Sequence, residues 1–256
     1  MRVILLASGS GGNACVVESG STRVLMDAGL SSRELERRMN ARGIAPTSIA
    51  AIFLSHEHND HSTGALTFSS KWGCPIFATA GTADALELDG TLFAPYVRVE
   101  PRREGHVGAI GYRALDIPHD ANESVTYAFE ADDARLVVAS DLGRAEPSFV
   151  EFLRESTALL LEFNHDEDLL RDGPYTWPLK QRIAGGLGHL SNRQSAEALA
   201  KAAGPRLRTV IATHLSKVNN EPALALAAVT SALERADCGA RSGIAGQVDG
   251  FEDFVA

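Results

Sequence analysis

Three of the chain's eight histidines and an aspartate fall within six positions of LSHEHNDHSTG, residues 54–64. His56 and His58, two apart on an extended loop, can grip one cation. Asp60 and His61, at the start of the following helical pattern, can face a second. Neutral imidazole and carboxylate suit zinc, manganese or iron, and a nitrogen–oxygen set without thiolate fits a catalytic ion better than a structural one. Four donors are too few for two ions, so others must come from elsewhere. His119, Asp141 and His214 each close an apolar run. A carboxylate such as Asp141 can bridge two cations, which a histidine cannot do. The competing reading is a solvated loop rich in polar residues.

The elements that must position these groups are legible as apolar runs that stop at polar turns. RVILLASGSGG, ACVVESG, RVLMDAG, AIFLSHEH, PIFATAG, YRALDIPHD, SVTYAFEADD, RLVVASDLG, ALLLEFNHD and TVIATHLS read as strands. SSRELERRMNARG, with Leu35 and Met39 at i, i+4, reads as a helix with a serine start and a glycine stop. HSTGALTFSSKWG, AEPSFVEFLRES, SNRQSAEALAKAAG and EPALALAAVTSALERA are helical too. Strand blocks separated by helices predict an α/β protein, its sheet packed between helical layers. No linker, charge block or repeat marks a domain boundary, so residues 1–256 are expected to be a single domain. Rigid sheets present functional groups at strand ends. The reading therefore expects Asp27, the HEHNDH group, His119, Asp141, His165 and His214 to converge.

At 256 residues, 45% hydrophobic and 22% charged, the chain can bury a substantial core. No apolar run approaches the length of a membrane span. MRVILLASGSGG has too short an apolar stretch for a signal peptide and reads as a first strand, which makes the expected location cytoplasmic, with no membrane partner. Cys15, Cys74 and Cys238 are odd in number, far apart and without a CxxC, so they read as small buried hydrophobes. A net charge of −9 argues against an all-over basic nucleic-acid binder. It does not exclude nucleic acid, because bound cations reverse the local field.

HEHNDH resembles the HxHxDH signature of the metallo-β-lactamase superfamily. The chain is similar to its YycJ (WalJ) branch over LASGSGGNACVVESG, RVLMDAGLS, SHEHNDHSTG, PHDANE, ASDLG, LEFNHDEDLLRDGPYTWPLKQRI, GHLSN and THLSKVNN. The resemblance implies an αββα sandwich of two mixed β-sheets flanked by helices. It also implies a metal-dependent phosphodiesterase, a 5′→3′ exodeoxyribonuclease of DNA repair with two divalent ions per chain (Zn or Mn, or Fe) that activate water. By position, His56, His58 and His119 would hold the first ion and Asp60, His61 and His214 the second, with Asp141 as the bridge. The interval from His119 to Asp141 fits two strands between them. His106, in REGHVG, is the rival to His119 and reads as a surface-loop histidine. Catalytic roles fall to Asp60, within the metal set, and to His189 as proton donor to the leaving group.

Other residues stay open between two readings. GSGGNA is not a dinucleotide loop, because a strand-like run follows it where a helix should. It is either a tight turn or, through Ser10 and Asn13, a phosphate contact. Asp27 reads as support for the metal loop. His165 and Asn164 are either supporting or substrate-binding. Lys180, Arg182, Arg193 and Lys217 are candidates for phosphate contacts, whereas Arg33, Arg37, Arg38 and Arg42 read as a solvated helix face. Tyr175 and Trp177 could stack on bases of single-stranded DNA or pack in the core. The same metal chemistry would serve a small phosphodiester, an ester or a thioester, and fold does not choose among them. A di-iron redox protein and a non-catalytic module are disfavoured by His58 and by the intact ligand positions.

Overall fold

A computed structural model of the chain describes residues 1–90, 94–246 and 253–256. The fold is α/β, with two mixed β-sheets of seven strands flanked by helices, as the resemblance implies. Contacts divide the described chain into two compact units. The first comprises Met1–Asp116, Ala121–Asp133 and Gly246–Val255; the second comprises Ile117–Asp120, Ala134–Ala245 and Ala256. No helix among the described residues is long and apolar enough to cross a membrane.

The first unit opens with β1 (Arg2–Ala7), β2 (Ala14–Ser19) and β3 (Thr22–Met26), an antiparallel series joined by glycine turns. Helix α1 (Ser32–Ala41) then returns the chain to β4 (Ile49–Phe53), which pairs parallel with β3. Ser31 caps α1 by accepting from the Glu34 N–H, and Leu35 and Met39 are buried at the predicted spacing. HSTGALTFSSKWG is two helices, α2 (Asn59–Ser62) and α3 (Ala65–Trp72), interrupted at Gly64. A Cβ at Gly64 would lie 2.2 Å from the Leu30 carbonyl oxygen, so only glycine fits against the turn after β3, and its N–H leaves the helical ladder to donate to the Ala28 carbonyl. β5 (Ile76–Ala78), α4 (Ala80–Ala85) and β6 (Tyr96–Arg98) complete that side of the sheet, in which β14 (Phe254–Val255) pairs with β1. The unit also holds the antiparallel β7 (Glu104–Val107), β8 (Ile110–Asp116) and β9 (Val125–Ala131). His106 is exposed as expected, but on strand β7 rather than in a loop.

Phe53, the last residue of β4, centres the aromatic core of this unit. Its ring lies 4.7 Å from Phe77, 4.9 Å from Tyr112, 5.3 Å from Tyr127 and 5.2 Å from Phe129. Fully burying a phenylalanine such as Phe53 or Phe129 contributes about 1.5–3 kcal/mol. The buried Tyr127 hydroxyl donates to the Leu54 carbonyl at 3.1 Å, so the core grips the backbone immediately before HEHNDH. Cys15 and Cys74 are buried as expected. Arg38 departs from the expected solvated face: it is 14% exposed and donates to the Leu6 carbonyl.

The second unit is built on parallel strands β10 (Ala134–Ala139), β11 (Ala158–Glu162), β12 (Thr209–Thr213) and β13 (Arg241–Ile244), with order β13-β12-β11-β10. ALLLE and TVIAT are buried at every position, as in a sheet covered on both faces. Helix α9 (Pro222–Arg235) packs on β12 and β13, α8 (Asn192–Ala202) packs on α9, and α5 (Pro147–Leu153) packs on α8. Ser191 caps α8 in a capping box with Gln194. Between β11 and α8 run α6 (Glu167–Asp172) and α7 (Trp177–Ala184), neither of which the apolar pattern predicts; α7 buries none of its residues. Cys238 is half-buried rather than buried.

Candidate metal centre

In the first unit the strand ends of β3 and β4 deliver Asp27 and the HEHNDH loop. Asp27 sits at φ 57°, a left-handed conformation that turns the chain sharply after β3. Its carboxylate accepts from the Ser55 N–H at 2.9 Å and lies 2.7 Å from His61 Nδ1. The Ser55 hydroxyl lies 3.0 Å from His56 Nδ1. Both imidazoles are thus held through Nδ1, which turns Nε2 toward a ligand. The His56 ring centre lies 4.6 Å from that of His58 and 4.3 Å from that of His61. Asp60 Oδ2 is 3.6 Å from His61 Nε2. The four HEHNDH groups predicted as ligands are therefore together.

The glycine-rich turn holds the backbone of this loop. The Gly9 N–H donates to Asn13 Oδ1, while the Asn13 N–H donates to the Asp60 carbonyl at 2.7 Å. The Asn13 amide also lies 3.0 Å from His61 Nε2. Ser10 is exposed. A Cβ on Gly29 would lie 1.7 Å from the Asp60 carbonyl oxygen, so only glycine lets these segments meet.

In the second unit the carboxyl ends of three parallel strands bring forward Asp141, Glu162 and His214, where open α/β sheets place their ligands. Asp141 (φ 59°) and His214 (φ 55°) share the left-handed conformation of Asp27. For a residue other than glycine that conformation costs about 1–3 kcal/mol, and such residues gather at functional sites. His189 follows α7, and His119 belongs to the short segment 117–120 of this unit. His119 Nδ1 lies 3.2 Å from the Gly188 carbonyl oxygen. Its Nε2 is 3.8 Å from Asp141 Oδ1, which is 3.5 Å from His189 Nδ1.

Glu162 is the functional residue that the sequence reading missed. It is 0% exposed and accepts from His189 Nδ1 at 2.9 Å and His214 Nδ1 at 3.0 Å through one oxygen. Its other oxygen accepts from the Leu142 and Leu190 N–H groups. Burial alone would raise its pKa, but the His189 charge and the two imidazole hydrogen bonds hold it below the usual carboxylate range. Burial opposes the charged form of His189 too, yet Glu162 and Asp141 raise its pKa above the ordinary value. The signal was present in ALLLE, where a lone acid ends a fully apolar run.

The remaining predicted residues are placed as follows. Asn164 donates to the His214 carbonyl at 3.0 Å, supporting that strand end. His165 is buried, and its backbone bridges to Ser191. Lys180 donates to the Arg171 carbonyl, and Lys217 is exposed. Arg182 pairs with Asp120, while Arg193 pairs with Glu167 and Glu197. Trp177 is 67% exposed, which removes it from the core.

The donor chemistry fits divalent metal. Asp141 and His214 stand in one group with Glu162 and His189, their polar atoms within 4.8 Å of one another, and Glu162 acts there as the hydrogen-bond partner of both imidazoles. His56, His61, His119 and His214 each engage Nδ1 with a hydroxyl, carboxylate or carbonyl oxygen, the arrangement that orients metal-binding histidines. Nitrogen and oxygen donors without thiolate accept zinc, manganese or iron.

Comparison with known proteins agrees with this chemistry. The family described as the β-lactamase superfamily domain matches residues 22–215. Exodeoxyribonuclease WalJ of Streptococcus pneumoniae is 33% identical over 244 residues, spanning 92% of this chain and 89% of the relative. Exodeoxyribonuclease YycJ of Bacillus anthracis is 32% identical over 90% of this chain and 88% of its own. Among solved structures, the metallo-β-lactamase fold protein YhfI from Bacillus subtilis superposes with a TM-score of 0.76 at 17% identity, covering 99% of each chain, a likeness of fold. The chain belongs to the β-lactamase superfamily, in the branch of the WalJ and YycJ proteins.

Proposed function

We propose that this protein is a metal-dependent exodeoxyribonuclease that removes nucleotides from the 5′ end of DNA, and that it serves DNA repair in the cytoplasm. The observation that carries the reading is the buried Glu162 holding His189 and His214 through Nδ1. The names of the WalJ and YycJ relatives supply the substrate.

In this reading residues 1–256 act as one metallo-β-lactamase-like domain that carries a pair of ions. His56, His58 and His119 would hold one ion and Asp60, His61 and His214 the other, with Asp141 shared. Zinc or manganese fits these donors, and iron is compatible with them. When bound, the ions supply Lewis acidity toward water and the scissile phosphate. Asp27 and Ser55 keep His56 and His61 turned the right way. Glu162 stabilises the imidazolium form of His189 and occupies Nδ1, so the proton that reaches the departing 3′ oxygen comes from Nε2.

The test is digestion of 5′-labelled and 3′-labelled oligonucleotides by metal-stripped protein with Mn²⁺ or Zn²⁺ restored, beside Asp141→Ala. Early release of labelled mononucleotide from the 5′ end, absent in the variant, is the expected result. Cleavage of a chromogenic phosphodiester without any cleavage of DNA would overturn the assignment of substrate and leave a small-molecule hydrolase.

A further inference from the structure

Beside the His189 loop, in the second unit, is a recess of about 230 Å³ whose lining the proton-transfer chemistry does not use. His165, Leu170, Trp177, Lys180 and Ala184 contribute walls, and the acid beside them, Glu167, is already matched by Arg193 and Ser191. His165 is 2% exposed, and its Nδ1 is buried without a hydrogen-bond partner among the described residues. A buried polar atom in that condition is costly and calls for a function. Burial pushes the His165 pKa down to about 4, so the ring is neutral at physiological pH, with one nitrogen to donate and one to accept.

Trp177 adds a second oddity. It is 67% exposed, on a helix that buries none of its residues. A large indole left in water on a lightly held helix contributes little to the core. It does supply a flat face to whatever enters the recess. Lys180 lies three residues along the same helix. Its ammonium donates to the Arg171 carbonyl and makes no contact ion pair among the described residues, the Asp172 carboxylate feeling its charge from farther off, so two of its three N–H groups remain for an anion.

A flat aromatic wall, aliphatic neighbours, one neutral imidazole and the Lys180 cation, beside an Arg171 already paired with Asp168 and Asp172, together match a nucleobase that carries its phosphate. The backbone bridge between His165 and Ser191, two residues after His189, puts the recess next to the proton donor. Resting on the nuclease reading above, we infer that this recess is a base subsite. It holds an unstacked base close to the scissile linkage, with Trp177 stacking on it, His165 meeting its edge and Lys180 its phosphate. A base can enter such a recess only after leaving its duplex neighbours, so the subsite selects single-stranded or frayed ends.

The test uses metal-loaded protein and a single-stranded oligonucleotide whose terminal linkages are phosphorothioates, to slow cleavage. It is compared with strands carrying an abasic residue at each of the first three positions. The chain has two tryptophans, so Trp177→Phe isolates the Trp72 signal. The expected result is saturable quenching that Trp177→Phe loses. An abasic residue at one position should weaken binding about tenfold. Trp177→Ala should weaken the base-bearing strand about tenfold and leave that abasic strand unchanged. Equal binding of all strands, absence of quenching, or an equal loss on every strand in Trp177→Ala would overturn the subsite. Cleavage of the ordinary phosphodiester strand in a parallel tube reports on the nuclease reading by itself.

Discussion

Glu162→Gln is the most informative single change because one buried carboxylate serves two imidazoles with different proposed tasks. Its outer oxygen accepts from His189 and His214, and the inner one accepts from two backbone N–H groups. Glutamine keeps the shape but must replace one oxygen with a donor. The backbone N–H groups cannot change role, so the amide oxygen stays with them and the NH₂ group faces both Nδ1 atoms. Each histidine must then carry its proton on Nε2. On His214 that proton blocks the nitrogen proposed to bind metal. On His189 the imidazolium loses the charge that stabilised it. Loss of an outer partner of this kind costs about 10–100-fold in metal affinity. Loss of an effective general acid costs about 10²–10⁴-fold in turnover. The assay is competition against a chelator for metal affinity, and turnover on a labelled oligonucleotide at saturating metal. His189→Ala should keep metal affinity and lose turnover, whereas Glu162→Gln should lose both. Wild-type metal affinity together with wild-type turnover in Glu162→Gln would refute the reasoning.

Three further outcomes follow from other parts of the structure. Gly29→Ala should push the Asp60 backbone away, since a Cβ there would meet its carbonyl oxygen at 1.7 Å. Overpacking of this kind costs about 1–3 kcal/mol, read as a lower Tm with weakened metal binding, and unchanged values for both would contradict the close contact. Hydrogen bonds from Arg37 and Arg38 lower the Glu34 pKa from 4.5 to about 2. Because the folded value is depressed, this stabilisation is present above pH 4.5 and is lost as pH falls toward 2. Glu34→Gln should therefore flatten the loss of urea-measured stability across that window; a slope identical to wild type would dismiss the pair. Finally, the 24 Lys and Arg of this chain are outnumbered by 33 acids, and many of them are already paired with carboxylates. The dependence of log Kd on log salt should be shallow, and a steep slope like that of a protein with six to ten phosphate contacts, a range of about 6–10, would count against binding through the metal centre and one subsite.

HEHNDH was legible because four ligating side chains within six residues have no ordinary structural use, and the apolar runs before it and before Asp141 and His214 located strand ends. The serine caps of α1 and α8 were legible for the same local reason: a hydroxyl just before an apolar helical period. What depended on distant partners was not. Glu162 looks like any acid at a strand end until His189 and His214, 27 and 52 residues away, are seen to share it. Arg38 carries a charge, so its pattern reads as solvated, yet a carbonyl of β1 takes its guanidinium. The short strands β6, β7 and β13 have too few apolar residues to show a period, and α7 has a proline in its first turn and no buried face.

Three of the left-handed residues, Asp27, Asp141 and His214, set a direction for drift. Glycine enters that region of backbone space freely, so one change at any of them would relax the chain and delete the side chain together. Selection for durability alone draws these positions toward glycine, and only a retained reaction draws them back. A descendant that kept the fold but abandoned the chemistry should reveal it there first, with glycine just beyond its third, tenth or twelfth strand and the strands themselves intact.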